Sequence, residues 1–174
     1  MKPGDALIDF SLSGVEDAPV SPADFSDKTA LAVVFSCNHC PYVRAWESRM
    51  VEIQAQYADK GFQMIAINAN DPLKYPSDNL DAMKERAVEI GMNFPYLVDE
   101  TQDIARAYGA ERTPEFFLFD QDRVLRYHGA LDDNYEDPSS VSHTYLKDAI
   151  EALLEGRAPS TETTPPVGCT IKWK

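Results

Sequence analysis

The fold is decided by residues 30–43, which read ALAVVFSCNHCPYV. The first six form a continuous apolar run between polar residues, a pattern typical of a strand buried on both faces. From about residue 38 to residue 60, apolar side chains then recur at steps of three and four, which predicts a helix. Two cysteines, Cys37 and Cys40, therefore fall at the junction of a buried strand and a helix.

The pattern downstream extends this unit into an α/β domain. A second apolar run at residues 62–67 predicts another buried strand, and strand, helix and strand within about 38 residues form a parallel crossover unit. An N-terminal β-hairpin is predicted from residues 7–12 and 18–20. We predict further strands at residues 96–98, 116–119 and 124–128, the last two joined as a hairpin, and further helices at residues 77–90, 103–108 and 139–155.

A length of 174 residues fits one domain, which we place at residues 1–156, and a C-terminal tail follows at residues 157–174. The tail begins with a polar, proline-rich stretch that is expected to be extended. It ends in apolar residues that include Ile171 and Trp173, so we expect it to dock on the domain. Thirteen extended residues from Gly156 to Cys169 would cover about 40 Å, enough to return across the domain.

The composition excludes some partners. Twenty-nine acidic residues against sixteen basic ones give a formal charge of −13, which repels a phosphate backbone or an anionic membrane surface. We therefore expect neither nucleic acid nor membrane as a partner. No window approaches the ~18 apolar residues of a membrane span, and the first residues lack a signal-peptide pattern, which predicts a cytoplasmic protein.

The close pair Cys37 and Cys40 is the motif that carries chemistry. A thiol at a helix N-terminus meets unpaired N–H groups and the positive end of the helix dipole, so we expect the pKa of Cys37 to be lowered from ~8.5. Cys40 would then resolve the mixed disulfide that Cys37 forms, and a protonated His39 would stabilise the Cys37 thiolate. Two alternatives remain open: a pair of buried structural thiols, and a metal site that adds His39 and Cys169.

The sequence resembles the thioredoxin-like superfamily, in particular the peroxiredoxin-like branch of the alkyl hydroperoxide reductase and redoxin group. The landmarks that carry this resemblance cover nearly the whole chain in the family's order and lie at residues 4–5 and 9–12, 35–43, 67–71, 94–99, 112–114 and 168–173. The resemblance implies a thioredoxin-like α/β fold, with a central mixed sheet flanked by helices.

The resemblance also assigns roles around Pro114. It implies a cis peptide bond between Thr113 and Pro114, packed against the two sulfurs, with the Thr113 backbone free to pair with a substrate strand. Arg112 would orient a peroxide or an anionic substrate. Peroxiredoxins carry a hydroxyl residue three positions before the reactive cysteine, but this chain has Val34 there.

These observations predict a thiol–disulfide oxidoreductase with Cys37 as nucleophile, Cys40 as resolving thiol, and neither cofactor nor metal. The substrate would be a protein disulfide, a small disulfide or a peroxide, and another dithiol protein would supply the electrons. A thiol peroxidase with an antioxidant role and a non-catalytic redox-sensing module are the alternatives. Cys169 is either an auxiliary thiol or a docked structural cysteine.

Overall fold

The computed structural model describes all 174 residues. Its strands are β1 (Ala30–Phe35), β2 (Phe62–Asn68), β3 (Tyr96–Val98), β4 (Arg112–Thr113), β5 (Glu115–Phe119), β6 (Leu125–Gly129) and β7 (Cys169–Thr170). Its α-helices are α1 (Pro41–Tyr57), α2 (Leu80–Ile90), α3 (Asp103–Tyr108) and α4 (Tyr145–Leu154). Short 3-10 helices lie at Pro22–Phe25, Ala58–Lys60, Pro76–Asp78 and Pro138–Ser140. None of the helices combines the length and the hydropathy that a membrane crossing requires.

The main sheet has five strands in the order β3-β2-β1-β5-β6. β1 runs parallel to β2, and β2 runs parallel to β3. β5 lies antiparallel to β1 on the other side and pairs antiparallel with β6. The sheet is therefore mixed and flanked by helices, which confirms the predicted fold class and the five predicted core strands.

The sheet separates two apolar cores, and β1 contributes to both. Ala30, Ala32 and Val34 face a core shared with α1, α2 and α4. The alternate residues of the same strand face a second core, which contains residues of the N-terminal segment, α3 and the C-terminal tail. All six residues of β1 are fully buried, as the continuous apolar run predicted.

Three helices begin later than the sequence predicted. α1 begins at Pro41 rather than near residue 38, because proline lacks an N–H and favours the first helical position. α2 is capped by Asn79, whose side chain accepts from the N–H of Ala82, and residues 76–78 form a separate 3-10 turn. α4 begins at Tyr145, because the predicted first turns instead form a 3-10 turn capped by Asp137 and then an extended segment.

The predicted N-terminal β-hairpin is present only as one antiparallel bridge. Leu12 and Val20 form a single antiparallel bridge, and no regular pair of strands follows from it. The other backbone groups of this segment find partners elsewhere, since Ala6 bridges Val124 and Gly14 bridges Leu97. Leu97 belongs to β3 and Val124 lies just before β6, so the segment contacts both edges of the main sheet.

The C-terminal tail returns along the sheet and docks on it. Thr163 forms a parallel bridge with His128 of β6. Further along, β7 pairs antiparallel with β4, and Ile171 is only 3% exposed within the second apolar core. This route brings Cys169 to the end of the sheet where Cys37 lies.

A buried ion pair fixes α1 to the loop that follows β6. Asp132 accepts from Arg49 at 2.6 Å and from the indole N–H of Trp46 at 2.9 Å, and the Asp132 side chain is only 3% exposed. We expect Asp132→Ala to lower the free energy of unfolding by about 3 kcal/mol, because it leaves the buried Arg49 guanidinium without its countercharge. Urea denaturation measures this change. The exposed Asp122→Ala serves as a control within about 0.5 kcal/mol, and equal stability of both variants would contradict the prediction.

Candidate active site

Three sulfur atoms meet at Thr113, the residue before Pro114. The Thr113 hydroxyl lies 3.3 Å from Cys37 Sγ, and its carbonyl oxygen lies 3.2 Å from Cys40 Sγ. Cys169 Sγ lies 2.8 Å from Cys40 Sγ, and the Cys169 backbone pairs with Thr113. Thr113 and the first two cysteines are buried, whereas Cys169 is partly exposed. The fold thus gathers residues from β4, from β7 and from the connection between β1 and α1 around one backbone position.

The loop between the two close cysteines is held by Asn38. Its backbone N–H donates to Asp78 Oδ1 at 2.8 Å, and its side-chain amide donates to the Ser77 carbonyl at 2.9 Å. Tyr96 Oη donates to Asn38 Oδ1 at 2.8 Å. Asn38 is only 2% exposed, so its side chain is a buried brace that fixes the position of the sulfurs.

Asp78 is a buried carboxylate next to this loop that sequence reasoning missed. Besides Asn38, the side-chain amides of Asn68 and Asn70 donate to it at 3.2 and 3.1 Å. Its negative charge acts on Cys37 through space. In the sequence, Asp78 belongs to the acidic start of a predicted surface helix, a pattern that carries no signal for burial. The asparagines that enclose it come from the end of β2, which only the assembled sheet brings close.

The thiols of Cys37 and Cys40 titrate as a pair. The hydrogen bond from Cys37 is the largest cause that lowers the pKa of Cys40, to about 5, and bonds from the Cys169 thiol and the Val43 N–H add to it. Burial opposes this shift. The Thr113 carbonyl also opposes it, because a carbonyl accepts from a thiol but repels a thiolate. The hydrogen-bond donors outweigh these opposing effects, so the pKa of Cys40 is lowered.

The prediction that Cys37 is the low-pKa thiol is wrong. The pKa of Cys37 is raised by its hydrogen bond to Cys40, by burial and by the charge of Asp78. The prediction assumed that the helix begins near Asn38, but the N-cap of α1 is Cys40. The helix N-terminus therefore stabilises charge on the second sulfur of the motif.

The structure places some of the other predicted residues at the site and leaves others exposed. Pro114 is buried, and the Thr113–Pro114 peptide bond is cis, which confirms that expectation. His39 is exposed and forms no hydrogen bond, so the structure does not bring it to the Cys37 sulfur. Arg112 is also exposed, and its charge acts on Cys169.

The structure also bears on two of the alternatives. The proposed metal site would need the His39 imidazole beside the three sulfurs. No group of three or more His, Cys, Asp or Glu side chains is arranged to hold a metal ion. The hydroxyl that peroxiredoxins supply before the reactive cysteine is absent at Val34, which is buried in the first apolar core. A hydroxyl does reach Cys37, but Thr113 supplies it from β4.

A Cys-x-x-Cys pair at the start of a helix, beside a cis-proline on a mixed sheet, defines the thioredoxin-like class of proteins. Residues 2–145 match the model of the Redoxin family. The chain therefore belongs to the Redoxin family, and the predicted thioredoxin-like, peroxiredoxin-like relationship is confirmed.

Solved structures and a curated protein resemble the chain over most of its length. The hypothetical protein SMc02350 from Sinorhizobium meliloti 1021 is 36% identical, with 100% of this chain and 96% of that one covered and a TM-score of 0.94. An uncharacterized conserved protein from Geobacillus kaustophilus is 40% identical, with 99% and 92% covered and a TM-score of 0.93. The thiol-disulfide oxidoreductase ResA of Halalkalibacterium halodurans is 23% identical over 127 residues, or 72% of this chain and 67% of that protein.

The shared proton of the pair gives a measurable titration. We expect the thiolate absorbance of the reduced protein to disappear on acidification with a midpoint at about pH 5, because the thiolate on Cys40 accepts several hydrogen bonds. Cys37→Ala should raise this midpoint, since it removes the largest of those donors, while Cys37→Ser keeps a hydroxyl donor and should raise it less. Ultraviolet titration of both variants tests this. A midpoint that survives in Cys40→Ser would assign the charge to Cys37 instead.

Proposed function

We propose that the protein is a thiol–disulfide oxidoreductase whose redox couple is Cys37 and Cys40, with Cys37 as nucleophile and Cys40 as resolving thiol. The observation that carries this proposal is the buried thiol pair in contact with Thr113, the residue before the cis-proline Pro114. Membership of the Redoxin family and the similarity to ResA support an enzyme of this class.

In the first step, Cys37 Sγ attacks one sulfur of the substrate disulfide. A new S–S bond forms between them, the substrate S–S bond breaks, and its electron pair leaves on the second substrate sulfur as a thiolate. The proton of Cys37 passes to the Cys40 thiolate, which already accepts its hydrogen bond. The hydroxyl of Thr113 lies beside Cys37 Sγ and can donate to it as charge develops.

In the second step, Cys40 gives its proton to the released thiolate and attacks Cys37 Sγ. The mixed disulfide breaks, and its electron pair leaves with the remaining substrate sulfur. The substrate is then reduced to one thiol and one thiolate, which takes up a proton from water, and the protein holds a Cys37–Cys40 disulfide. A second dithiol protein would reduce this disulfide and complete the cycle.

The proposal places the reaction in the cytoplasm, where thiols are kept reduced. Its substrate is a small disulfide or a protein disulfide. The formal charge of −13 disfavours highly acidic substrates, which the protein surface would repel.

Trapping of the mixed disulfide tests the roles of the two cysteines. All variants carry Cys169→Ser, so that the third thiol cannot interfere, and oxidised glutathione serves as the probe disulfide. We expect Cys40→Ser to retain a glutathione adduct on Cys37, because the resolving thiol is absent, and Cys37→Ser to lower insulin-disulfide reduction at least about 100-fold. Peptide mass spectrometry locates the adduct. An adduct on Cys40 in Cys37→Ser, with none in Cys40→Ser, would reverse the roles, and no reduction by the wild-type protein would overturn the proposal.

Reduction of hydroperoxides is a second candidate function, favoured by the Thr113 hydroxyl 3.3 Å from Cys37 Sγ. In this reaction Cys37 attacks the peroxide, becomes a sulfenic acid and releases an alcohol or water. Cys40 then condenses with the sulfenic acid, releases water and forms the same disulfide.

A hydroxyl variant tests this second function. We expect Thr113→Val to lower peroxide consumption about tenfold, because it removes a donor worth ~1.4 kcal/mol to the developing charge, while Thr113→Ser retains activity. Peroxide loss is followed with dithiothreitol as the donor. Consumption by the wild-type protein no faster than by Cys37→Ser would remove this candidate.

A further inference from the structure

The C-terminal tail fills the edge of β4. β7 pairs antiparallel with β4, so that Cys169 lies opposite Thr113 and Thr170 lies opposite Arg112. An extended substrate that paired with the backbone before Pro114 would need this same edge. The tail therefore lies where a substrate strand would bind, and it presents a cysteine at the position nearest the sulfurs.

The position of Cys169 is fixed on both sides along the tail. Gly168 packs so closely on β4 that a Cβ at this residue would lie 2.1 Å from the Thr113 carbonyl oxygen. After β7, Ile171 is 3% exposed in the second apolar core, and its N–H donates to the Glu111 carbonyl at 3.0 Å. The close packing of Gly168 and the burial of Ile171 show that the tail is firmly attached on both sides of Cys169.

The sulfur of Cys169 lies next to that of Cys40. The two Sγ atoms are 2.8 Å apart, and the sulfurs of Cys37 and Cys40 both contact Thr113. A disulfide between Cys37 and Cys40 would therefore have the third thiol next to its Cys40 sulfur.

We propose that Cys169 is a third redox-active cysteine, which exchanges with the Cys37–Cys40 disulfide and carries the oxidising equivalents out to the tail as a Cys40–Cys169 disulfide. This inference rests on the proposed function, because that reaction produces the Cys37–Cys40 disulfide.

The exchange needs no further oxidant. Cys169 loses its proton and attacks Cys40 Sγ, a Cys40–Cys169 S–S bond forms, and the Cys37–Cys40 S–S bond breaks. The electron pair of the broken bond leaves on Cys37 Sγ, where the Thr113 hydroxyl can donate to it, and Cys37 takes up the proton that Cys169 gave up. One disulfide replaces another, so the protein as a whole stays oxidised by two electrons.

The exchange makes the disulfide accessible to a reductant. Cys37 and Cys40 are only 5% and 3% exposed, whereas Cys169 is partly exposed on the tail. An incoming thiolate can therefore attack Cys169 Sγ and form an S–S bond with it, while the Cys40–Cys169 bond breaks and Cys40 leaves as a thiolate. A low pKa makes a thiol a better leaving group, and the pKa of Cys40 is lowered to about 5 by the bonds from Cys37 and its other donors.

Disulfide mapping of the full wild-type chain tests the proposal without any substitution. The reduced protein is treated with one equivalent of diamide, quenched in acid, alkylated and digested without reduction. We expect peptides joined through Cys40 and Cys169, with Cys37 alkylated, to appear after the Cys37–Cys40 form. Exclusive Cys37–Cys40 pairing with alkylated Cys169 at every time would overturn the proposal.

Two variants separate the thiol from the docking of the tail. Cys169→Ser removes the thiol and should abolish the joined peptides, so that the protein stops at Cys37–Cys40. Gly168→Ala keeps all three thiols but pushes β7 from β4, and we expect about tenfold slower Cys40–Cys169 formation, because the thiol loses its fixed position. Thr170→Ala is the matched control, since this exposed side chain of β7 can be truncated without touching the backbone pairs. Equal rates for Gly168→Ala and Thr170→Ala would contradict the role of the docked tail.

Failure of this inference differs from failure of the proposed function. If Cys37–Cys40 forms on reaction with oxidised glutathione but never passes to Cys169, the inference fails and the proposed function stands. If oxidised glutathione produces no Cys37–Cys40 disulfide in either the wild-type protein or Cys169→Ser, the proposed function itself fails.

Discussion

The candidate active site depends on Thr113. A single residue offers its hydroxyl to Cys37 and its carbonyl to Cys40, and it pairs through its backbone with Cys169. These groups belong to one residue, so the positions of all three sulfurs depend on the position of Thr113. Pro114, which follows, contributes no N–H that would compete for the sulfurs.

The surroundings of the sulfurs raise and lower the pKa values of the two close thiols through opposing effects. Burial raises the pKa of both close thiols, and the charge of Asp78 raises that of Cys37 further. Cys40 overcomes its burial because it accepts several hydrogen bonds at the start of α1. The lowered pKa is therefore that of Cys40, whose sulfur lies next to that of Cys169. This placement suits a resolving thiol, since in the proposed reaction every exchange after the attack of Cys37 on the substrate forms or breaks a bond at Cys40.

The polar residues behind the site explain how the buried charge of Asp78 is tolerated. Asp78 is buried, but three amide donors, from Asn38, Asn68 and Asn70, satisfy its oxygens. Burial of a carboxylate without such donors would be costly. The same network holds Asn38 and so fixes the turn between Cys37 and Cys40. The stability of the site and its electrostatics thus depend on the same hydrogen bonds.

The sequence by itself determined the core strands, the α/β class, the cysteine pair at a strand-to-helix junction and the return of the tail. The strands, the class and the junction follow from periodicity, which is a pattern of neighbouring residues. The return of the tail follows from the length of the extended segment. The start of α1 was misplaced by three residues, from Asn38 to Pro41, so that Cys40 is the N-cap of the helix. The burial of Asp78, the hydroxyl beside Cys37 and the contact between Cys40 and Cys169 were decided only by the tertiary structure. These contacts join residues 40 to 129 positions apart, and only the pairing of strands and loops distant in sequence brings them within hydrogen-bond distance.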